Sequence, residues 1–496
     1  MVWIWGLLAC QGNSDDTPSD GGEPTSAETG TTPVKPTGKT GDTGVGVDIC
    51  DVPTVMPTGP VVTFDTPPKR VLMLSIDTLR RDFVDFYACE DEPRVSRMPF
   101  LSTILAQSVS LEDAQQCSNW TYPSTNCTLS GTLLEEMDHV PRGGLDGRPV
   151  PEGQRTLASL LSEVGFFTGL VWTNGWFYRI AGPNSPPGDQ LTGNNQGYQA
   201  LEGPAGGAVN VGTVGRTMLE EALGGADAPE RWLLHLHFIE PHDLYNAPDE
   251  FMPELKDLPN IPVDFRDRGS FGTAQVQYAG FDRETQDLYR SHFQLRYTGD
   301  LRQLDARLEV MWSQLEAGGL LDDTLVVLWT DHGEGFWERG PQAHGWRLGA
   351  EENDAIVAFW HPDLTPQRVL GPHHAIDVLP TTLSALGLEV PEDLAGVRAG
   401  LASPDRVRFT ASPNIAGQRY QAVTKEGFKL TAGWNGTLTL HDRNTDRLER
   451  TDLFAADHPR VDELWGLLEP RITMLEERIP EGQRVNWDLL NKGVIP

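Results

Sequence analysis

Five polar side chains close apolar runs in this chain: Asp77 follows the run 71–76, Glu240 and His242 follow 233–239, and Asp331 and His332 follow 325–330. Carboxylates and imidazoles are the side chains that hold hard or borderline divalent cations, and histidine also moves protons near neutral pH. In open parallel sheets ligands bind beyond the carboxyl ends of the strands, so these positions are where chemistry is expected first. Taken singly, each has a plainer reading as a capping Asp or a satisfied core histidine.

The elements that must position these residues are short buried strands alternating with amphipathic helices, the pattern of an α/β domain. Strands are expected at 71–76, 169–172, 233–239, 325–329 and 355–360. Leu301, Leu304, Leu308, Met311 and Leu315 recur at three-and-four spacing and predict a helix stopped at Gly318 and Gly319. Gly- and Pro-rich stretches at 143–153 and 182–207 read as loops. Beyond about residue 402 the pattern changes to short polar-alternating strands over 420–440 and a closing helix near 461–479. The expected architecture is therefore a large, mainly parallel mixed sheet flanked by helices, with a small C-terminal antiparallel sheet. No internal repeat is present.

Acids outnumber bases 71 to 39 over 496 residues, a formal charge of −32. That surplus argues against nucleic acid as a partner, which would need cationic surface to displace phosphate counterions. With 14 Trp and 18 Phe the chain has apolar material for a sizeable core, yet no run approaches the roughly 20 apolar residues of a membrane span. The opening run 1–10 resembles a bacterial lipoprotein signal ending in a lipobox, with Cys10 as the lipidated residue. It implies export to the cell envelope and membrane contact only through that anchor. Residues 11–66 are expected to be an acidic Thr/Gly/Pro-rich linker, most extreme up to Asp48, because such a composition buries too little surface to fold. The remaining cysteines, Cys50, Cys89, Cys117 and Cys127, allow two disulfides in any of three connectivities.

The order of six segments carries more than any one of them. These are 75–82 (SIDTLRRD), 120–124 (WTYPS), 239–245 (IEPHDLY), 330–334 (TDHGE), His344-Gly345 and 375–381 (AIDVLPT). Together they resemble the sulfatase family of the alkaline-phosphatase superfamily from about Lys69 onward. Lys425 to Leu430 and Leu440-His441-Asp442 resemble that family's C-terminal subdomain. The resemblance implies a catalytic domain over 67–401 and a C-terminal subdomain over 402–496. It implies that Asp77, Asp331 and His332 bind a divalent metal together with the nucleophile, which by position is Thr121. Zinc or manganese is favoured by the imidazole, and calcium is compatible with the carboxylates. His242 and His344 are implied to bind the ester oxygens and protonate the leaving group, or to ligate a second metal.

Two departures from the family pattern shape the expected reaction. Best-known sulfatases convert a Cys or Ser to formylglycine within a Cys/Ser-x-Pro-Ser-Arg motif, whereas this chain has Thr121 there and Thr125 in place of the Arg. A threonine cannot form the aldehyde hydrate that expels sulfate, so its covalent intermediate must be cleaved by a second in-line attack of water. Phosphorus accepts that route readily, which favours phosphoric or phosphonic esters over sulfuric ones. Expected substrates are small-molecule, carbohydrate or lipid esters. The alternatives are a sulfatase working without formylglycine, a phosphoryl transferase, and a surface binding protein on a decayed scaffold. The sequence carries no signal of oligomeric state.

Overall fold

The computed structural model describes residues 48–88, 97–137, 150, 153–177, 194–203, 207–224, 229–413 and 419–477. The lipobox at 7–10, with Cys10, and also Cys89 lie outside the described residues.

Among the described residues nine strands form the main sheet: β1 (Thr54–Val55), β2 (Arg70–Ile76), β3 (Val109–Leu111), β4 (Phe167–Val171), β5 (Ala200–Glu202), β6 (Trp232–Phe238), β7 (Thr324–Thr330), β8 (Val357–Trp360) and β9 (Gln367–Val369). Their spatial order is β1-β9-β3-β8-β7-β2-β6-β4-β5. Only β8 runs antiparallel to its neighbours, β3 and β7, so the sheet is mixed but mainly parallel. The helices are α1 (Pro99–Ala106), α2 (Thr121–Ser130), α3 (Leu157–Glu163), α4 (Ala208–Leu223), α5 (Arg268–Gln277), α6 (Arg283–Ala317), α7 (Ala350–Asn353), α8 (Val378–Ala385) and α9 (Pro459–Glu477).

The central strands β2, β6 and β7 are buried on both faces, which is why they read as nearly continuous apolar runs. Leu72, Leu74, Leu234, Leu236, Val326 and Leu328 join one core with α1, α4 and α6, and the alternate positions Val71, Met73, Leu233, Leu325 and Val327 join another with α3 and α8. The five apolar residues of α6 that set its spacing are all buried. Register fixes the site end of the sheet. Ile76 lies opposite both Phe238 and Thr330, so three strands finish at one level and the next residues emerge side by side.

Two expectations are corrected. The linker does not extend to residue 66: Thr54–Val55 pairs with β9, and Val52 and Val62 are buried, so a few aliphatic side chains suffice to dock this segment on the sheet edge. Within the glycine-rich stretch 182–207, Ala200–Glu202 forms the edge strand β5 on β4. Helix α2 ends at Ser130, where Gly131 takes a left-handed φ of 67° and terminates it. Of the cysteines, Cys117 and Cys127 form a disulfide that ties α2 to the segment before it.

The second sheet comprises β10 (Arg408–Pro413), β11 (Arg419–Lys425), β12 (Phe428–Gly433) and β13 (Leu438–Asp442), all antiparallel, with Val423, Leu430 and Leu440 packed on Leu464 and Leu468 of α9. Its junction with the main domain is ionic. Asp113 accepts from Arg408, Arg443 and Arg447 at 2.6, 3.2 and 3.1 Å, Arg443 also reaches Asp354 at 2.6 Å, and Lys429 pairs with Glu449 at 3.1 Å. Burial alone would raise the Glu449 carboxyl, but Lys429 and Arg443 overturn that and hold it at about 2, against an ordinary value of 4.5. A depressed carboxyl contributes stability above its unfolded value and loses it as pH falls through the folded one. Between pH 4.5 and 2 the protein is therefore expected to lose about 3 kcal/mol through this group. Denaturant unfolding of wild type and Glu449→Gln over that range checks it, because the variant's stability should fall less steeply; parallel slopes would refute the assignment.

Candidate active site

The aligned strand ends place Asp77 and Asp331 together. The Asp77 amide donates to the Phe238 carbonyl at 2.9 Å, and the Asp331 amide lies 3.4 Å from the Ile76 carbonyl. His332 follows at once, and its Nε2 lies 3.5 Å from Asp77 Oδ1 and 3.4 Å from Asp331 Oδ2. All three side chains are fully buried, and one ligand atom from each falls within 4.8 Å of the others. Gly333 lets the chain pass α7: a Cβ there would stand 2.0 Å from the Glu351 carbonyl oxygen.

Thr121 is the first residue of α2, and its Oγ1 stands 3.3 Å from His332 Nε2. Thr121 thus stands at the amino end of α2, the end that carries the helix's partial positive charge. Trp120, Tyr122 and Trp176 pack with one another beside Thr121, their ring centroids 5.4–6.1 Å apart, and form an apolar wall. On the other side the His344 ring lies 4.3 Å from that of His332 and 5.0 Å from that of His242. The structure thus brings Asp77, Thr121, His242, Asp331, His332 and His344 into one cluster. Glu240 is engaged elsewhere, its Oε1 accepting the Ala208 amide at the start of α4 at 2.8 Å.

Several residues of the site escape a reading of the sequence. Asn174 donates from Nδ2 to Asp77 Oδ2 at 2.8 Å and lies 3.3 Å from Thr121 Oγ1. It follows β4, so the strand-end rule that singles out Asp77 could have found it. Glu334 accepts from Tyr245 OH at 2.9 Å and holds His344 Nδ1 at 3.2 Å, which fixes the ring's orientation. Asp243 holds His242 Nδ1 at 2.8 Å. Behind Asp77 runs a buried chain: Tyr198 OH to His235 Nδ1 at 2.7 Å, His235 Nε2 to Ser75 Oγ at 2.8 Å, and Ser75 Oγ to His237 Nδ1 at 3.0 Å. Burial pushes the His235 pKa well below its ordinary value, so this imidazole is neutral. With Tyr198 donating to its Nδ1, its Nε2–H donates to Ser75, which in turn donates to His237. The remaining nitrogen of His237 then carries a proton 3.6 Å from Asp77 Oδ2. Ser75, His235 and His237 sit within strands buried on both faces, where the sequence marks no position as different from its neighbours.

The donor set fits a divalent cation. Asp77 Oδ1 and Asp331 Oδ2 are buried and have no hydrogen-bond partner among the described residues. Burial and the charge of Asp77 push Asp331 well above the usual carboxylate range. For Asp77 burial acts in the same upward sense, but His237, His242 and His332 outweigh it and hold the group low. Two such carboxylates ionise together only if positive charge lies between them. Burial, with the neighbouring His344, drives the His332 pKa far down, leaving the neutral imidazole that a metal requires.

The chain is similar to several known proteins. A choline-sulfatase of Rhizobium meliloti (strain 1021) is 28% identical over 247 residues, which are 46% of this chain and 47% of that protein, so the match spans about half of the curated relative. A phosphonate monoester hydrolase of Agrobacterium radiobacter shares the fold with a TM-score of 0.59 at 17% identity, over 83% of this chain and 96% of that one. So does a protein solved with its substrate D-glucosamine-2-N,6-O-disulfate, with a TM-score of 0.59 at 15% identity, over 83% and 99% of the two chains. The family model described as Sulfatase matches residues 69–388, which take in the whole main sheet from β2 to β9 and every residue of the cluster, and the chain belongs to that family.

Proposed function

We propose that this chain is a metal-dependent hydrolase of phosphoric, phosphonic or sulfuric esters with Thr121 as its nucleophile. The observation that carries this reading is the position of the Thr121 hydroxyl, 3.3 Å from His332 Nε2 in a cluster whose two carboxylates keep unpartnered oxygens. Asp77, Asp331, His332 and Thr121 would hold the ion, zinc or manganese before calcium. Such an ion supplies neutralisation of developing negative charge and a lowered pKa for the hydroxyl.

The chain's own residues do the rest. Asn174 spans Asp77 and Thr121 and sets the direction of the hydroxyl. The amino end of α2, at Thr121, favours the anionic ester through the helix dipole. With its proton released to solvent, Thr121 attacks through Oγ, forming a bond to phosphorus or sulfur as the ester bond breaks, and the departing oxygen takes a proton from His242 or His344. That imidazole then takes one proton back from a water that attacks in line, and the bond to Thr121 breaks, returning the threonine oxygen and the histidine to their starting states. Similarity to a choline-sulfatase and to a phosphonate monoester hydrolase supports an ester of either element. The unmodified threonine favours phosphorus, because the second step must be a displacement at the central atom. Matched aryl phosphate, phosphodiester, phosphonate and sulfate esters, assayed with added zinc or manganese, test the reading. Phosphorus-selective turnover is expected; sulfate-selective turnover would reverse the preference, and no turnover would remove the hydrolase reading.

A further inference from the structure

The segment that carries His344 continues into the wall of a second cavity. A pocket of about 370 Å³ lies between residues 339–349 and one face of the C-terminal sheet, lined among others by Arg347, Tyr420, Thr431, Asn435, Thr439 and Arg450. The opposite face of this sheet is covered by α9. Arg347 lies three residues beyond His344, a separation of at most about 10 Å even when fully extended. The connection is tied down: the Gly345 amide donates to the Asn119 carbonyl at 2.9 Å, Ser412 Oγ donates to the Gly345 carbonyl at 3.3 Å, and the Arg347 amide reaches Glu352 at 3.2 Å.

The charges of the pocket are unevenly used. Arg339 is fully engaged by Glu351 and by the carbonyls of Leu448 and Glu449. Of the two acids in the lining, Glu449 is neutralised by Lys429 and Arg443, and Asp452 accepts the amides of Leu440 and Phe454 at 3.0 and 2.9 Å. Arg347 instead lies 4.5 Å over the Tyr420 ring and, like Arg450, forms no ion pair among the described residues. In a chain with 32 more acids than bases, two guanidiniums of one pocket that form no ion pair among the described residues, Arg347 feeling the buried Glu352 only from a distance, are positioned for an anion from outside. Around them Thr431, Thr439 and Asn435 present hydroxyl and amide groups suited to a polyhydroxylated ligand.

We propose that this pocket binds a non-reacting anionic sugar unit of an oligosaccharide ester, with Arg347 and Arg450 taking its sulfate, phosphate or carboxylate. The reading deepens the hydrolase assignment and rests on it for the reacting end. The test titrates the full-length chain, carrying Thr121→Ala to prevent turnover, with a sulfated tetrasaccharide and its desulfated, neutral counterpart in a calorimeter. The sulfated form is expected to bind at least about tenfold more tightly, and Arg347→Ala or the exposed Arg450→Ala to remove at least about tenfold of that affinity. Equal affinity for the two sugars, or indifference to both substitutions in variants that melt like the parent, would overturn the subsite. Aryl esters separate the two claims. If wild type turns them over while sugar affinity ignores both arginines, the subsite alone is wrong. If arginine-dependent sugar binding occurs without aryl turnover, the subsite stands and the reaction falls.

Discussion

Thr121→Ala is expected to lower aryl-ester turnover by on the order of 10⁴-fold or more, the scale on which loss of a nucleophile acts when no other group can form the covalent intermediate. The substitution leaves the scaffold intact. Thr121 occupies the first helical position of α2, where its side chain caps nothing, and the hydroxyl's contacts are those to Asn174 and His332. Losing them costs about 1 kcal/mol of stability, small beside the kinetic effect. Thr121→Ser keeps the hydroxyl and should stay within about tenfold of wild type, because Asn174 and the helix end still aim it. Rapid-quench trapping of a phosphorylated or sulfated protein would show the intermediate directly in wild type and its absence in the alanine variant. Alanine activity within tenfold of wild type would transfer the nucleophile's role to water and end the covalent mechanism.

The second large effect concerns Asp331. Asp331→Asn should abolish turnover, by at least about 10³-fold, and with it the rise in melting temperature that zinc or manganese gives the wild type. The metal-free proteins should rank the other way. Burial and Asp77 make an ionised Asp331 costly, so a neutral amide of the same shape is expected to stabilise the metal-free protein near neutral pH. The amides of Thr78 and His332, which donate to Asp331 Oδ1 at 3.2 and 2.8 Å, keep an acceptor in the asparagine. Calorimetric melting of both proteins with and without added metal reads the two effects separately. A variant that is destabilised without metal, or still stabilised by it, would show that Asp331 is a structural carboxylate rather than a ligand.

Much of this site is legible in the amino-acid sequence alone, and the reason is local. Asp77, Asp331 and His332 each end a buried strand, and the change from apolar to polar marks the carboxyl edge of a parallel sheet whatever the strand order. The six family segments then supply what periodicity cannot, namely which threonine belongs with them. Asn174 obeys the same strand-end logic and escapes notice because its short strand β4, Phe167–Val171, is followed by residues that read as a turn. His235, His237 and Ser75 cannot be recognised from pattern, because within a strand buried on both faces nothing distinguishes a polar residue that meets a partner from one that merely alternates with leucine.

What the sequence by itself determined is the class of fold, the family and the identity of the cluster. These depend on apolar spacing and on residue types within short windows, where each side chain's requirement for burial or a partner is visible in its neighbours. Only the tertiary structure decided how the cluster is wired and where it opens. Register between β2, β6 and β7 sets Asp77 beside Asp331; Glu334 and Asp243 choose the orientations of His344 and His242; and the ionic junction places Arg347 against Tyr420. Those outcomes join residues far apart in the chain, 253 positions for the Thr78 amide on Asp331 and 330 for Arg443 on Asp113. Such pairings are selected by the summed packing of the whole sheet and its helices, a quantity that no window of the chain contains.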